Sequence, residues 1–157
     1  MDKKSLDMPP FDLSNNVQLI LDLLSIKHRT VYKKTLIIQE NGCQYTLYLE
    51  NLPEVRIERV EPLECFEWHD SIPFAKTAAY FVSDTPYLAW VLVDDTSKTV
   101  VFRKEYTLGT DRRAICEQLY QGLDDIDQSV KVFREACSVD DEFYQLRREE
   151  LLEQRLL

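Results

Sequence analysis

Residues 35–49 read TLIIQENGCQYTLYL, and this stretch predicts the type of sheet. The run Thr35–Gln39 is apolar and β-branched, which is typical of a strand. The Asn41-Gly42 pair that follows accepts positive φ at both central positions of a type I′ turn. From Cys43 to Leu49 apolar and polar residues alternate, which indicates a second, half-buried strand. The stretch therefore predicts an antiparallel β-hairpin.

Regular patterns continue on both sides of this hairpin. Asn51-Leu52-Pro53 predicts a turn, and the alternation at Val55–Glu58 predicts a third strand, so the three strands form an antiparallel meander. Before the hairpin, Asp12 or Ser14 caps a predicted helix, and the cations of Lys27–Arg29 suit its C-terminal end. Apolar residues recur along this helix at intervals of three and four: Leu13, Val17, Ile20, Leu21 and Leu24.

The middle of the chain alternates between helix and strand signals. A short strand is expected around Cys65–Trp68, between two prolines. Residues 74–82 favour a helix that places Phe74, Ala78 and Phe81 on one face. Residues 87–93 are apolar on both faces, which predicts a central strand. The return strand that pairs with it directs Val100 and Phe102 to one side.

A long helix near the C-terminus has the clearest periodicity in the chain. Thr110 or Asp111 caps it, and Gly122 inside it costs about 1 kcal/mol against alanine, which suggests a close backbone approach. Its apolar stripe steps by three and four residues through Ile115, Leu119, Leu123, Ile126, Val130, Phe133 and Cys137. The acids opposite this stripe are expected to be solvated: Asp124, Asp125 and Asp127.

The order of elements is thus α-β-β-β-α-β-β-α, with a further short helix at the end. This order predicts an α+β fold in which helices pack on one face of an antiparallel sheet of about five strands. The chain is expected to consist of an N-terminal arm (1–11), a single domain (12–138) and a helical appendage (139–157).

Composition and charge exclude several classes of protein. The 157 residues include 28 acids against 19 bases, a formal net charge of -9, which disfavours binding to nucleic acid or to anionic membranes. The first residues lack a continuous apolar run, and no stretch is long enough to span a bilayer, so we expect a cytoplasmic protein. The cysteines lack C-x-x-C spacing and are expected to be reduced and mostly buried: Cys43, Cys65, Cys116 and Cys137.

Catalytic and cofactor motifs are not found in the sequence. It has no G-x-S-x-G, and three glycines are too few for a phosphate-binding loop. The loop at Asp94-Asp95 is typical of a turn. Cys65, Glu67 and His69 could hold a metal or serve an enzyme, but their spacing matches no closed zinc site, so this hypothesis is the weakest. We therefore predict a non-enzymatic protein without cofactor or metal.

Surplus apolar and aromatic residues indicate instead a surface for partners. On the first helix three residues lie off the main stripe and predict a second apolar face, which either another part of this fold or another chain would cover. Aromatic residues anchor protein interfaces when they are exposed. The candidate partner-binding residues are Leu19, Leu23, Ile26, Trp68, Tyr87 and Trp90.

Four consecutive predicted elements resemble those of one known family: the helix at Phe74–Val82, the strands at Tyr87–Val93 and Thr99–Lys104, and the helix that follows Thr110. Over roughly residues 12–138 the order of elements is similar to that of the YbjN-like proteins, which share the type III secretion chaperone-like fold. The resemblance implies a bacterial, non-enzymatic protein that binds other polypeptides, often as a homodimer, by sheet-edge addition or apolar grooves. It carries over no catalytic residue.

Two functions from different classes stay open at this point. The first is a cytoplasmic, chaperone-like or regulatory module that acts as a homodimer and captures a polypeptide through apolar surface. The second is a small acidic inhibitor or immunity-type protein that blocks a basic target through its charge.

Overall fold

The computed structural model describes residues 13–66 and 72–138, together with Glu149 and Glu153. Residues 13–66 and 72–138 form three α-helices, six strands and one short 3₁₀-helix. In chain order the elements are α1 (Leu13–Leu23), β1 (Lys27–Tyr32), β2 (Thr35–Glu40), β3 (Cys43–Asn51), β4 (Glu54–Pro62), the 3₁₀-helix (Leu63–Cys65), α2 (Ile72–Ser83), β5 (Trp90–Asp94), β6 (Thr99–Thr107) and α3 (Arg112–Ser138).

The six strands form one sheet in the order β1-β2-β3-β4-β6-β5. The register of β2 and β3 places Leu36 opposite Leu47, and Leu47 in turn lies opposite Ile57 of β4. Val91 of β5 lies opposite Phe102 of β6. The predicted α+β class and the antiparallel sheet are confirmed, with six strands in place of about five.

The additional strand is β1, and it corrects the prediction that Lys27–Arg29 end the first helix. Ser25, with a φ of 58°, turns the chain after α1, and these cations begin a strand instead. The imidazole Nε2 of His28 lies 2.7 Å from the Asp22 carboxylate. Because β1 is an edge strand with five of its six residues exposed, it carries polar residues that hide its β character.

The β2–β3 hairpin and its turn are confirmed. Asn41 has a φ of 53° and Gly42 a φ of 76°, so both central residues lie in the left-handed region that a type I′ turn requires. Glu40 and Cys43 pair at the base of the turn. Tyr45, in the alternating strand that follows, is buried.

The chain divides into two compact units. Unit 1 combines the chain up to Arg59 with Lys104–Asp124, and unit 2 combines Val60–Arg103 with the chain from Asp125 onward. The predicted domain boundaries lie where the described residues begin and end, so they stay a prediction.

Unit 1 has a core of aliphatic side chains from α1, from the inner face of β2, β3 and β4, and from the first half of α3. Its buried members include Val17, Leu21, Leu36, Ile38, Leu47, Leu49, Ile57, Ile115 and Leu119. Gly122 permits the close approach that its position predicts, because a Cβ there would lie 2.9 Å from Ile57 Cδ1 and 3.0 Å from Tyr106 Cε1.

Unit 2 has an aromatic core. The rings of Phe66, Phe102 and Phe133 are in mutual contact, and the ring of Phe133 stands edge-on to the other two. The predicted helix at 74–82 is confirmed as α2, but its buried side chains are small ones: Ala75, Thr77, Ala78, Ala79 and Val82. The strand expected around Cys65–Trp68 is wrong at Cys65, which is the last residue of the 3₁₀-helix. Residues 67 and 68 lie outside the described residues.

The prediction of a central strand at Tyr87–Val93 is wrong. The strand, β5, begins at Trp90 and lies at the edge of the sheet, beside β6 alone. Val91 is the buried side chain of β5, whereas Trp90 and Leu92 are exposed. An apolar sequence on both faces therefore reflects an exposed apolar surface here, not burial between two neighbouring strands.

The predicted stripe of α3 is confirmed, because all seven of its apolar side chains are buried. Asp111 caps the helix by accepting a hydrogen bond from the Ala114 N–H at 2.8 Å. The expectation of a solvated acid is wrong for Asp125, which is only 9% exposed. The buried face of α3 is wider at this point, since Ser129, one turn after Asp125, is also fully buried. The Ser129 hydroxyl donates a hydrogen bond to the Asp125 carbonyl at 2.6 Å.

All four cysteines are free thiols, as predicted, but they are not mostly buried. Cys137 is buried, Cys43 and Cys116 are half-buried, and Cys65 is exposed. Among the helices that the structure describes, none has the length and apolar character needed to cross a membrane.

Candidate binding surface

The six residues predicted to bind partners lie in different environments. Leu19 and Leu23 on α1 are 43% and 67% exposed, whereas Ile26 is buried at 2% and belongs to the core of unit 1. Tyr87 and Trp90 in unit 2 are 86% and 51% exposed. Trp68 lies outside the described residues. The exposed residues of unit 2 are the ones that extend into a larger surface.

The edge of β5 that does not face β6 is bonded by Ser83, the last residue of α2. The Ser83 hydroxyl accepts a hydrogen bond from the Val91 N–H at 2.8 Å and lies 3.3 Å from the Val91 carbonyl oxygen, to which it donates. Just before the strand, the Ala89 N–H donates to Ser129 Oγ at 2.7 Å. Because these groups already have partners, β5 does not offer Val91 to an added strand. A partner would reach β5 through its exposed face.

Two hydrogen bonds set the register between β4 and β6. The Leu63 N–H donates to the Lys98 carbonyl at 2.9 Å, and the Leu108 N–H donates to the Pro53 carbonyl at 2.8 Å. In antiparallel strands paired without a bulge, moving forward along one strand means moving back by the same number of residues along the other. The two hydrogen bonds obey this rule, because ten residues separate them on each strand. This register places Val60 opposite Val101.

An apolar strip crosses three strands of unit 2 on the outer face of the sheet. Val101 lies opposite Leu92 in the β5–β6 pair, so Val60, Val101 and Leu92 form a row. Trp90 stands on the same face as Leu92, two residues earlier. Val60 is 51% exposed and Leu92 39%, and Val101 is half-buried. We call Val60, Trp90, Leu92 and Val101 the apolar strip.

Tyr87 precedes β5 with a backbone conformation that a large side chain rarely adopts. Its φ is 69°, in the left-handed region, and its side chain is 86% exposed. A non-glycine residue in that region costs on the order of 1 kcal/mol, and such residues are concentrated at functional sites. Tyr87 therefore presents an aromatic ring to solvent at some cost in stability.

Three members of the apolar strip were not among the predicted residues: Val60, Leu92 and Val101. Each is an apolar residue at a position whose parity along the strand points away from the core. That parity was a usable signal in β4 and β6, where Val55, Val100 and Phe102 mark the inner face. Their proximity to one another, however, depends on strand order.

The outer face of unit 1 differs from the apolar strip because it carries a polar cluster around Arg56 and Glu58. The Arg56 guanidinium carbon lies 4.3 Å from the centre of the Tyr48 ring, and Arg56 Nε lies 3.4 Å from a Glu58 oxygen. The Tyr48 hydroxyl donates to Glu58 at 3.3 Å. Burial, and then the Glu58 charge, raise the pKa of Tyr48. This cluster is a structural network.

The loop between β5 and β6 has the turn chemistry that its sequence predicts. Asp94 accepts hydrogen bonds from the N–H groups of Thr96 and Ser97, at 3.0 and 3.2 Å. The Ser97 bonds lower the pKa of Asp94, and the hydrogen bond from Lys98 lowers the pKa of Asp95. Both carboxylates therefore hold the turn together.

The metal hypothesis on Cys65, Glu67 and His69 gains nothing from the described residues. Cys65 is exposed, and Glu67 and His69 lie outside them. In residues 13–66 and 72–138 no group of three His, Cys, Asp or Glu side chains could hold a metal ion.

The strand order and the long closing helix define an α+β fold of the class found in YbjN. One solved structure with this fold is the crystal structure of YbjN from E. coli, whose description calls that protein a proposed transcription regulator. The alignment covers 83% of this chain and 93% of the YbjN chain. The two align with a TM-score of 0.59 and 12% sequence identity, so the likeness confirms the resemblance for the fold alone. No family model matches the sequence, and no curated protein matches it.

Proposed function

We propose that this chain is a non-enzymatic, chaperone-like or regulatory protein-binding module of the cytoplasm that captures a polypeptide segment on the apolar strip. The observation that carries the proposal is the row of apolar side chains from three strands on an exposed sheet face. Soluble monomers rarely expose contiguous apolar surface beyond a few hundred Å², and larger patches mark interaction sites. Tyr87, three residues before Trp90 along the chain, adds another exposed aromatic side chain.

The size of the surface favours a segment over a globular partner. The apolar strip and Tyr87 together expose on the order of 500 Å², given that a whole aromatic side chain offers ~150–250 Å². A stable interface between folded proteins buries about 800 Å² on each side. An extended apolar segment lying across β4, β6 and β5 fits the smaller area.

The double variant Trp90→Ser, Leu92→Ser is expected to weaken this capture strongly. Replacing two half-exposed apolar side chains removes about 2 kcal/mol of apolar burial in the complex, a loss of about thirtyfold in affinity. The measurement is suppression of the aggregation of reduced insulin chains, together with the fluorescence of a bound apolar dye. Tyr120→Ser is the matched control, since Tyr120 is 46% exposed on α3. Equal activity of the double variant and the wild type would contradict the proposal.

Salt dependence separates capture from the alternative of a charge-driven inhibitor. Burial of apolar surface changes little as ionic strength rises, whereas attraction between an acidic protein and a basic target is screened within ~8 Å at physiological salt. We therefore expect suppression of insulin aggregation to persist at high salt. A steep loss with salt would favour the inhibitor function.

The homodimer in this proposal rests on a different surface, the face of α1 that carries Leu19 and Leu23. These residues are one helical turn apart and exposed, so a second copy could cover both. Light scattering is expected to give twice the monomer mass of 18.5 kDa, and Leu23→Glu to give the monomer. Gln128→Glu puts the same charge at an exposed position of α3, away from this face of α1, and should leave the dimer intact. A monomeric wild type at micromolar concentration would remove the dimer from the proposal.

A further inference from the structure

The opposite edge of the sheet, β1, has a charge that contrasts with the rest of the chain. Four cations follow one another within residues 27–34: Lys27, Arg29, Lys33 and Lys34. We call these four residues the basic edge. Without them, 15 bases remain against 28 acids, so the rest of the sequence is strongly acidic. All four side chains are exposed.

The cations of the basic edge have no anionic partner among residues 13–66 and 72–138. None of the four takes part in an ion pair there, and Lys33 contacts only the Tyr32 ring, at 5.8 Å from its centre. The nearby acid Asp22 lies beside His28 instead. The positive charge along β1 is therefore available to a ligand.

The backbone of β1 is available as well. β1 pairs with β2 on one side and stands at the end of the strand order, and its register shifts between Thr30 and Tyr32. Before that shift, over residues 27–30, alternate N–H and C=O groups point away from the described sheet. The edge strand β5 differs, because the Ser83 hydroxyl bonds both backbone groups of Val91. Of the two edges, β1 is the one that can accept a further strand.

We propose that β1 binds a short, extended, acidic peptide segment of another protein as an added strand. Lys27 and Arg29 lie opposite Gln39 and Ile37, which alternate with buried Leu36 and Ile38, so both cations stand on the outer face at a spacing of two residues. An added strand with carboxylates at alternate positions would face both cations. Val31 and Tyr32, 44% and 64% exposed, extend this surface with apolar contacts.

Charge disfavours two other occupants of this edge, a second copy of β1 and a long polyanion. A second copy of β1 would bring four cations against four, which opposes edge-to-edge pairing. A long polyanion, such as DNA or an anionic membrane, would extend past β1 onto a chain whose net charge is -9. A short acidic strand meets only the basic edge, since charges beyond ~8 Å are screened at physiological salt.

The test is fluorescence anisotropy with a labelled synthetic peptide as long as β1, in which glutamate alternates with valine. We expect the double variant Lys27→Glu, Arg29→Glu to bind it about tenfold more weakly, since two attractions become repulsions. Arg112→Glu, Lys131→Glu, a double reversal at exposed positions of α3, is the matched control and should bind like the wild type. Equal binding by both variants, or tighter binding of DNA or anionic vesicles than of the peptide, would overturn the proposal.

Backbone methylation of the peptide separates strand addition from simple charge attraction. Methyl groups on one alternate set of peptide amides should abolish binding, and those on the other set should not, because only one set faces β1. Equal tolerance of both sets would overturn strand addition. The apolar strip takes no part in this test, so its outcome is independent of the function proposed for that surface.

Discussion

Replacing Phe133 with alanine is expected to lower the free energy of unfolding by about 3–5 kcal/mol. Phe133 is fully buried in unit 2, and its ring centre lies 4.7 Å from that of Phe66 and 5.7 Å from that of Phe102. The truncation leaves a cavity between two rings and removes two edge-on aromatic contacts. Since a typical domain is stable by about 5–15 kcal/mol, the loss is a large share of the total.

Urea denaturation followed by tryptophan fluorescence measures this effect. Both tryptophans of the sequence lie between Val60 and Arg103, so the signal reports on unit 2. Lys131→Ala truncates an exposed side chain on the same helix and should change stability by less than about 0.5 kcal/mol. A loss below about 1 kcal/mol for Phe133→Ala would mean that the three rings do not form the core of unit 2.

Periodicity identified Phe133 because α3 is a single long helix. All seven residues of its stripe recur at three- and four-residue steps, and a helix of this length repeats the pattern often enough to define one face. The Asn41-Gly42 turn was equally predictable, because its geometry depends on two adjacent residues. Features that depend on neighbours in sequence were therefore predicted correctly.

The position of β5 depends on contacts that the local pattern does not contain. An apolar run on both faces predicts burial between strands, but β5 lies at the edge, where Ser83 and Ser129 bond its backbone and the residue before it. The two serines are 8 and 40 residues from the groups they bond. β1 shows the converse error, because an exposed edge strand needs no apolar face.

Only part of the candidate binding surface was predictable, because the rest depends on which strands are neighbours in the sheet. Tyr87 and Trp90 stand out as aromatic residues, but the apolar strip arises only when β4 and β5 flank β6 and bring Val60 and Leu92 to either side of Val101. Ile26 shows the limit of helix periodicity: it lies beyond the end of α1 and is buried. Assigning a residue to a surface therefore requires the end of each element as well as its period.

Gly122→Val is expected to lower the free energy of unfolding by about 3 kcal/mol. A Cβ at position 122 would lie 2.9 Å from Ile57 Cδ1, 3.0 Å from Tyr106 Cε1 and 3.1 Å from its hydroxyl oxygen. Ile57 is fully buried, so the added methyl groups of valine force the core of unit 1 to shift, and overpacking of this kind costs about 1–3 kcal/mol or more. Valine is also a weaker helix former than most residues, although glycine is weaker still.

Two variants separate overpacking from helix propensity. Gln128→Val introduces the same side chain at an exposed position of α3 and should cost only a few tenths of a kcal/mol. Gly122→Ala adds one carbon against the flexible end of Ile57 and gains about 1 kcal/mol of helix propensity, so we expect its net effect to be small. Far-UV circular dichroism in urea measures all three variants. If Gly122→Val matches Gln128→Val, then α3 does not approach β4 and β6 of unit 1 closely enough to require glycine.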